Sequence, residues 1–151
     1  VLITNLQCHS NQLTNLNISQ NTSLVHLECH NNSLSNLDVT NNILLEFLTV
    51  YGNQIVIIDL SQNTLLDILY CQSNLLASLD LSQNILLTHL QCYNNQISSL
   101  DLSQNTLLHH IWCSNNQLSG LDVRNSNNTN FSTFITENNP NLTCISSTVS
   151  V

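Results

Sequence analysis

Apolar residues in this chain recur every 21 positions, a spacing that fits neither one long helix nor one long strand. Coils beginning at Ile3, Leu24, Leu45, Leu66, Leu87 and Leu108 each read close to LxxLxCxxNxLxxLDLSxN, as in LTHLQCYNNQISSLDLSQNTL from Leu87 to Leu107. A seventh, degenerate coil begins near Phe131 after a two-residue slip. A fixed period of this size marks a solenoid, propeller or array, whose units bury their apolar faces only against neighbours. Within a coil the LxC and LDL segments alternate apolar and polar positions as short strands do, so each coil is expected to carry two extended segments. No stretch keeps apolar residues at i, i+3, i+4 and i+7 over a helical length, and little or no α-helix is expected.

The constant polar positions read as structure. Asn11, Asn32, Asn53, Asn74, Asn95 and Asn116 follow the first segment, and Asn21, Asn42, Asn63, Asn84 and Asn105 close the coil. Stacked turns direct backbone groups inward, and an amide can satisfy both donors and acceptors at every level. Cys8, Cys29, Cys71, Cys92 and Cys113 share one repeat position with Val50, which marks them as small buried hydrophobes rather than disulfide or metal ligands; Cys144 lies outside that register. Asp38, Asp59, Asp80, Asp101 and Asp122, with Asn17 starting the row, form a like-charge ladder. Bonds to adjacent backbone amides or hydroxyls are the plain means of offsetting its repulsion, calcium bridging the alternative.

The LxxLxCxxN segment with its terminal NxL resembles the leucine-rich-repeat family, and the 21-residue period resembles the bacterial class that includes internalins with cysteine ladders. The Cys-plus-LDLSxN form, ending in NNPNLTCI from Asn138 to Ile145, is most similar to secreted surface proteins of Bacteroidetes such as flavobacteria. The resemblance implies a leucine-rich-repeat solenoid, a right-handed superhelix of six full coils and one degenerate coil with short parallel strands on a concave face. It implies a single domain over residues 1–151, read as a piece of a longer protein because no terminal cap is evident. The family is a scaffold for different binding surfaces, so it points to recognition or adhesion without naming a ligand.

Charge narrows the partners. The 151 residues hold nine acids, Arg124 as the only base and no lysine, for a net charge of -8. Such a surface has almost nothing with which to neutralise phosphates, which argues against nucleic acid and anionic membranes. No run of 18 apolar residues and no signal-peptide pattern is present, so a mature, secreted or cell-surface module without membrane insertion is expected. Nucleophile elbows, zinc-protease helices and Gly-rich phosphate loops are missing, with Gly52 and Gly120 the only glycines; no enzyme activity and no cofactor are expected.

If the fourth and sixth positions of a coil point inward, the third, fifth and seventh point outward on the same strand. Those positions hold His9, His26, His30, His89, His110, Tyr51, Tyr70, Tyr93 and Trp112, nine of the ten His, Tyr and Trp residues, joined by Phe47. Only His109 falls elsewhere. Aromatics favour strands in general, yet the outward positions of the second segment, such as Thr14, Ser35, Ala77, Ser98 and Ser119, are small. The enrichment belongs to one face, as in a recognition surface. Its centre is expected at Tyr51, Tyr70, Tyr93, His89, His110 and Trp112, with Gln72 and Gln91 between them, and its ligand is a protein or a carbohydrate. His9, His26, Glu28 and His30 share one corner of it. They read as a polar edge in preference to a zinc or copper site, because the sequence shows no partners that would orient the imidazoles. The competing reading is structural, with coils stacking end to end between subunits into a fibre or stalk.

Overall fold

The computed structural model describes residues 2–126 and 130–147. Among them the chain forms no α-helix and ten short strands: β1 (Asn5–Gln7), β2 (His26–Glu28), β3 (Phe47–Thr49), β4 (Ile68–Tyr70), β5 (His89–Gln91), β6 (Ser99–Asp101), β7 (His110–Trp112), β8 (Gly120–Val123), β9 (Thr133–Ile135) and β10 (Cys144–Ser147). Seven of these make one sheet in the order β1-β2-β3-β4-β5-β7-β9, every pair parallel. Registers advance one coil at a time, so Leu6, Leu27, Leu48, Leu69, Leu90, Ile111 and Phe134 line up in a single row. The five inner members of that row are fully buried. Burial of the central side chain of each strand is what fixes the register, since a one-residue slip would turn the leucine row out to water.

The second extended segment of each coil is only partly realised as sheet. β6, β8 and β10 pair in parallel, whereas the corresponding segments of the first four coils make no strand ladder. Those segments still alternate, with Leu37, Val39, Ile58, Leu60, Leu79 and Leu81 buried and Asp38, Asp59 and Asp80 exposed. Period-two patterning reports which side chains go inward; it does not require that neighbouring backbones bond to each other.

The interior is a stack of aliphatic rows with the cysteine row among them. Cys29, Cys71, Cys92 and Cys113 are buried, as is Val50 in the same slot, while Cys8 is half-buried; all six cysteines are free thiols. Burial pushes the Cys29, Cys71 and Cys113 thiols up to about 12, which keeps them neutral and unreactive.

The first asparagine row spans coils in both directions. Asn53 Oδ1 accepts from Leu34 N at 3.0 Å in the preceding coil, and its Nδ2 donates to Cys29 O at 3.1 Å and Val50 O at 2.9 Å. The same arrangement recurs at Asn32, Asn74, Asn95 and Asn116. The second row uses only its donors: Asn63 Nδ2 reaches Val39 O and Asn42 O, and the Oδ1 atoms of Asn42, Asn63, Asn84 and Asn105 have no hydrogen-bond partner. Both rows run further than the 21-residue spacing shows. Asn139 continues the first, accepting from Leu118 N and donating to Cys113 O, and Asn125 continues the second with a bond to Asn105 O.

One further constraint is conformational. The eighth residue of all seven coils has a positive φ: Ser10, Asn31, Gly52, Ser73, Asn94, Asn115 and Asn138, all between 53° and 63°. This left-handed residue turns the chain away from the sheet immediately after the seventh, outward position. Asn tolerates that conformation better than most residues and Gly is free to adopt it.

Candidate binding face

The outward positions of the seven-stranded sheet form three rows. The third-position row runs Asn5, His26, Phe47, Ile68, His89, His110, Thr133, and the fifth-position row runs Gln7, Glu28, Thr49, Tyr70, Gln91, Trp112, Ile135. The seventh-position residues His9, His30, Tyr51, Gln72 and Tyr93 follow directly after the strands. Parallel in-register pairing places like positions side by side at roughly 4.8 Å, close to the spacing at which rings stack. The rings do stack. His9 lies on His30 and His30 on Tyr51 with centroids 4.3 Å apart in each case, His26 lies on Phe47 at 4.1 Å, and Tyr93 lies on Trp112 at 4.1 Å. Phe47 meets Tyr70 edge-on at 6.2 Å, and His89 stacks on His110 at 5.3 Å.

The structure brings Tyr51, Tyr70, Tyr93, His89, His110, Trp112 and Gln91 together as half-exposed neighbours on this face. Gln72 differs from these in exposure. Flanked in its row by Tyr51 and Tyr93, it is only 6% exposed, and its Oε1 has no hydrogen-bond partner. Thr49 and Ser114 are likewise buried between larger neighbours, Ser114 accepting from Trp112 Nε1 at 3.1 Å. Alternation decides which way a side chain leaves the strand, but its accessibility depends on the size of the side chains beside it. Gln72 therefore sits as a buried spacer between the two tyrosines.

His109 belongs with the face although its repeat position placed it elsewhere. Its ring meets His89 edge-on at 4.8 Å, giving a cluster of His89, His109 and His110. The second position borders the strand, close enough for its ring to reach that of His89 in the neighbouring coil. Within the cluster Thr88 links two groups, its hydroxyl donating to the Asp67 carboxylate and lying 2.8 Å from His89 Nδ1. Burial, and next the charge of His109, lower the His89 pKa, with Asp67 opposing; burial and then His89 and His109 lower that of His110. At the other end of the face, Glu28 Oε1 accepts from Gln7 Nε2 at 2.8 Å and lies 2.7 Å from His26 Nε2. The His26 hydrogen bond is the main cause of a lowered Glu28 pKa.

The aspartate ladder lies on the other side of the coils and is held locally. Asp38, Asp59, Asp80 and Asp101 each accept the backbone N–H two residues on, at 2.9 Å, and Asp122 accepts that of Arg124 and pairs with its guanidinium. These bonds hold Asp38, Asp59, Asp80 and Asp122 below the usual carboxylate range. A groove of about 650 Å³ runs beside the start of this ladder, lined by Leu16, Asn17, Leu37, Asp38 and Ile57 among others, away from the ring-bearing face.

No family model matches the sequence, and no match is found among curated proteins. Solved structures do match. The functional domain of InlJ from Listeria monocytogenes, which includes a cysteine ladder, aligns over 93% of this chain at 28% identity with a TM-score of 0.54, the alignment covering 45% of that chain. A leucine-rich-repeat protein of Leptospira interrogans aligns over 77% at 25% identity with a TM-score of 0.73, covering 32% of its length. An internalin, InlF, from Listeria monocytogenes shares the fold over 89% of this chain at 21% identity, with a TM-score of 0.69 and 50% of its own length covered. The chain thus spans half or less of the length of these three structures. Parallel coils, a leucine row, two asparagine rows and a buried cysteine row make the chain a leucine-rich-repeat type of solenoid, similar to the cysteine-ladder domain of InlJ.

Proposed function

We propose that this chain is a non-enzymatic recognition module, secreted or held at a cell surface, that binds a protein through the outward face of its seven-stranded sheet, the concave face of leucine-rich repeats. The observation that carries this reading is the confinement of Tyr51, Tyr70, Tyr93, Trp112 and the histidines to that one face, where they lie beside one another. Aromatic side chains give large contact area for little loss of rotamer freedom and dominate binding energetics. The ring geometry favours a protein over a glycan. Sugar stacking needs an open ring face, and His30 has His9 on one side and Tyr51 on the other, while Tyr93 is covered by Trp112. Ring edges, hydroxyls and imidazole nitrogens are what the face presents.

Seven strands by three outward positions span roughly 29 by 13 Å, the footprint of a projecting loop or strand of a partner rather than a broad flat contact of about 800 Å² per side. The absence of lysine and the single arginine favour a neutral or basic partner segment. Panels of extracellular proteins and of glycans probed with the wild-type chain and with a Tyr70→Ala/Trp112→Ala double variant test the reading. Protein binding lost in the variant, with the circular-dichroism spectrum unchanged, supports it. Glycan binding, or protein binding indifferent to the variant, overturns it. Light scattering of the dilute chain separates this reading from end-to-end stacking, which requires species larger than one chain.

A further inference from the structure

We propose that His9, Glu28 and His30 form a site for a divalent transition-metal ion of the zinc class at the first-coil end of the face. The nitrogen and oxygen donors of these three residues all lie within 4.8 Å of one another, the one such group of His, Cys, Asp and Glu among the described residues. Their convergence follows from the repeat. His9 and His30 occupy the seventh position of adjacent coils, and Glu28 stands two residues before His30 on the same face of the sheet.

What separates a ligand set from a chance cluster is the orientation of each donor, and here neighbouring groups supply it. His30 Nδ1 lies 3.1 Å from Thr49 Oγ1, and His9 Nδ1 lies 3.2 Å from Ser10 Oγ. A hydroxyl accepting at Nδ1–H fixes the tautomer that leaves Nε2 with its lone pair free for a cation. On Glu28, Oε1 is occupied by Gln7 Nε2 and His26 Nε2, so Oε2 is left to coordinate. His26, which the sequence grouped with the ligands, becomes a positioning residue that aims the carboxylate. Two imidazoles and one carboxylate suit zinc, and the fourth position stays open for water or for a donor from a bound partner.

Closure of the site has a visible cost. Donors about 2.1 Å from a tetrahedral ion lie about 3.4 Å from each other. The His9 and His30 rings are stacked with centroids 4.3 Å apart and planes 7° from parallel, so the ion must draw the two nitrogens together and tilt the rings. His9 is exposed and packed on one side only, against His30, whereas His30 is clamped between His9 and Tyr51. Binding the ion therefore means a movement of His9.

The test uses zinc alone, titrated into the chain against a chromogenic chelator, and cobalt(II) as a spectroscopic substitute. The expected result is one ion per chain, bound about tenfold or more weakly after His9→Gln, Glu28→Gln or His30→Gln and unchanged after His89→Gln or His110→Gln. Thr49→Val weakens binding and Thr49→Ser restores it. The cobalt complex shows visible d–d bands without thiolate charge transfer in the near ultraviolet. The proposal is overturned if no saturable binding occurs up to millimolar zinc, if His9→Gln and Glu28→Gln bind as the wild type does, or if a thiolate band points to Cys8 or Cys144. Circular dichroism reports the folding of each variant, and exposed His9 carries the test should His30→Gln fail to fold. None of these readouts depends on the face binding a protein.

Discussion

Replacing Asn74 with leucine keeps the branched shape and heavy-atom count of the side chain and removes its polarity at the centre of the stack. Four bonds disappear: the one Oδ1 accepts from Ile55 N at 3.0 Å, those Nδ2 donates to Val50 O and Cys71 O at 3.1 Å each, and a long, weak one from Nδ2 to Gln72 O at 3.4 Å. All three carbonyls keep a second donor, since Val50 O also accepts from Asn53 Nδ2, Cys71 O from Asn95 Nδ2 and Gln72 O from Gly52 N. The Ile55 N–H has no such reserve and is left unpaired in a buried turn. An orphaned buried donor costs about 2 kcal/mol and each of the two compensated bonds of ordinary length about 1 kcal/mol, the long bond to Gln72 O little, against a gain of about 1 kcal/mol from the added apolar surface. The net loss is about 3 kcal/mol, a large share of the roughly 5–15 kcal/mol stability of a domain. Asn11→Leu is the control: its amide bonds only Cys8 O and His9 O, both at the exposed first coil, and its loss should cost under about 1 kcal/mol. Urea denaturation of both variants measures the difference as a shift of midpoint at unchanged slope. An Asn74→Leu loss under about 1 kcal/mol, or one equal to that of Asn11→Leu, would refute the view that the ladder satisfies buried backbone groups.

Two further outcomes follow from the same geometry. Gly52→Ala should destabilise the chain by about 1–2 kcal/mol, because it forces an alanine to φ 63° and drives its Cβ into the Asn31 side-chain oxygen; a neutral or stabilising effect in thermal melts would contradict this. Acidification should also destabilise. His89 and His110 have folded-state pKa values below their ordinary 6.5, so between those values and 6.5 the unfolded chain binds more protons than the fold, and stability falls as pH drops through that window. Urea midpoints at pH 7.5, 6.5 and 5.5 check the sign, and a midpoint that rises on acidification would be the wrong one.

The fold was legible because every structural position is repeated. Leu27, Leu48, Leu69 and Leu90 say the same thing at the same spacing, and the Cys row with Val50 announces packing in place of chemistry. Legibility faded where the repeat slips. Asn125 and Asn139 serve their rows out of register, and Cys144, outside the cysteine register, opens β10 opposite Gly120. On the face, alternation assigned the side of the sheet for Tyr70, His89 and Trp112. It could not show that Gln72 is sealed between Tyr51 and Tyr93, since that depends on the bulk of residues 21 positions away in each direction. His109 was missed because its repeat position lies just before the strand, while its ring reaches His89 of the neighbouring coil. The hydroxyls that orient His9 and His30 are ordinary Ser and Thr residues in the sequence and acquire meaning only from distance.

The central claim is that a partner docks on the outward face of the seven-stranded sheet. Photo-crosslinking locates that contact directly, with benzoylphenylalanine placed at Gln91, in the middle of the face, or at Ser98, an exposed position of the second segment. With a protein partner from the binding panel present, the account predicts a covalent adduct from position 91 and none from position 98. An adduct formed from position 98 and absent from position 91 would contradict it.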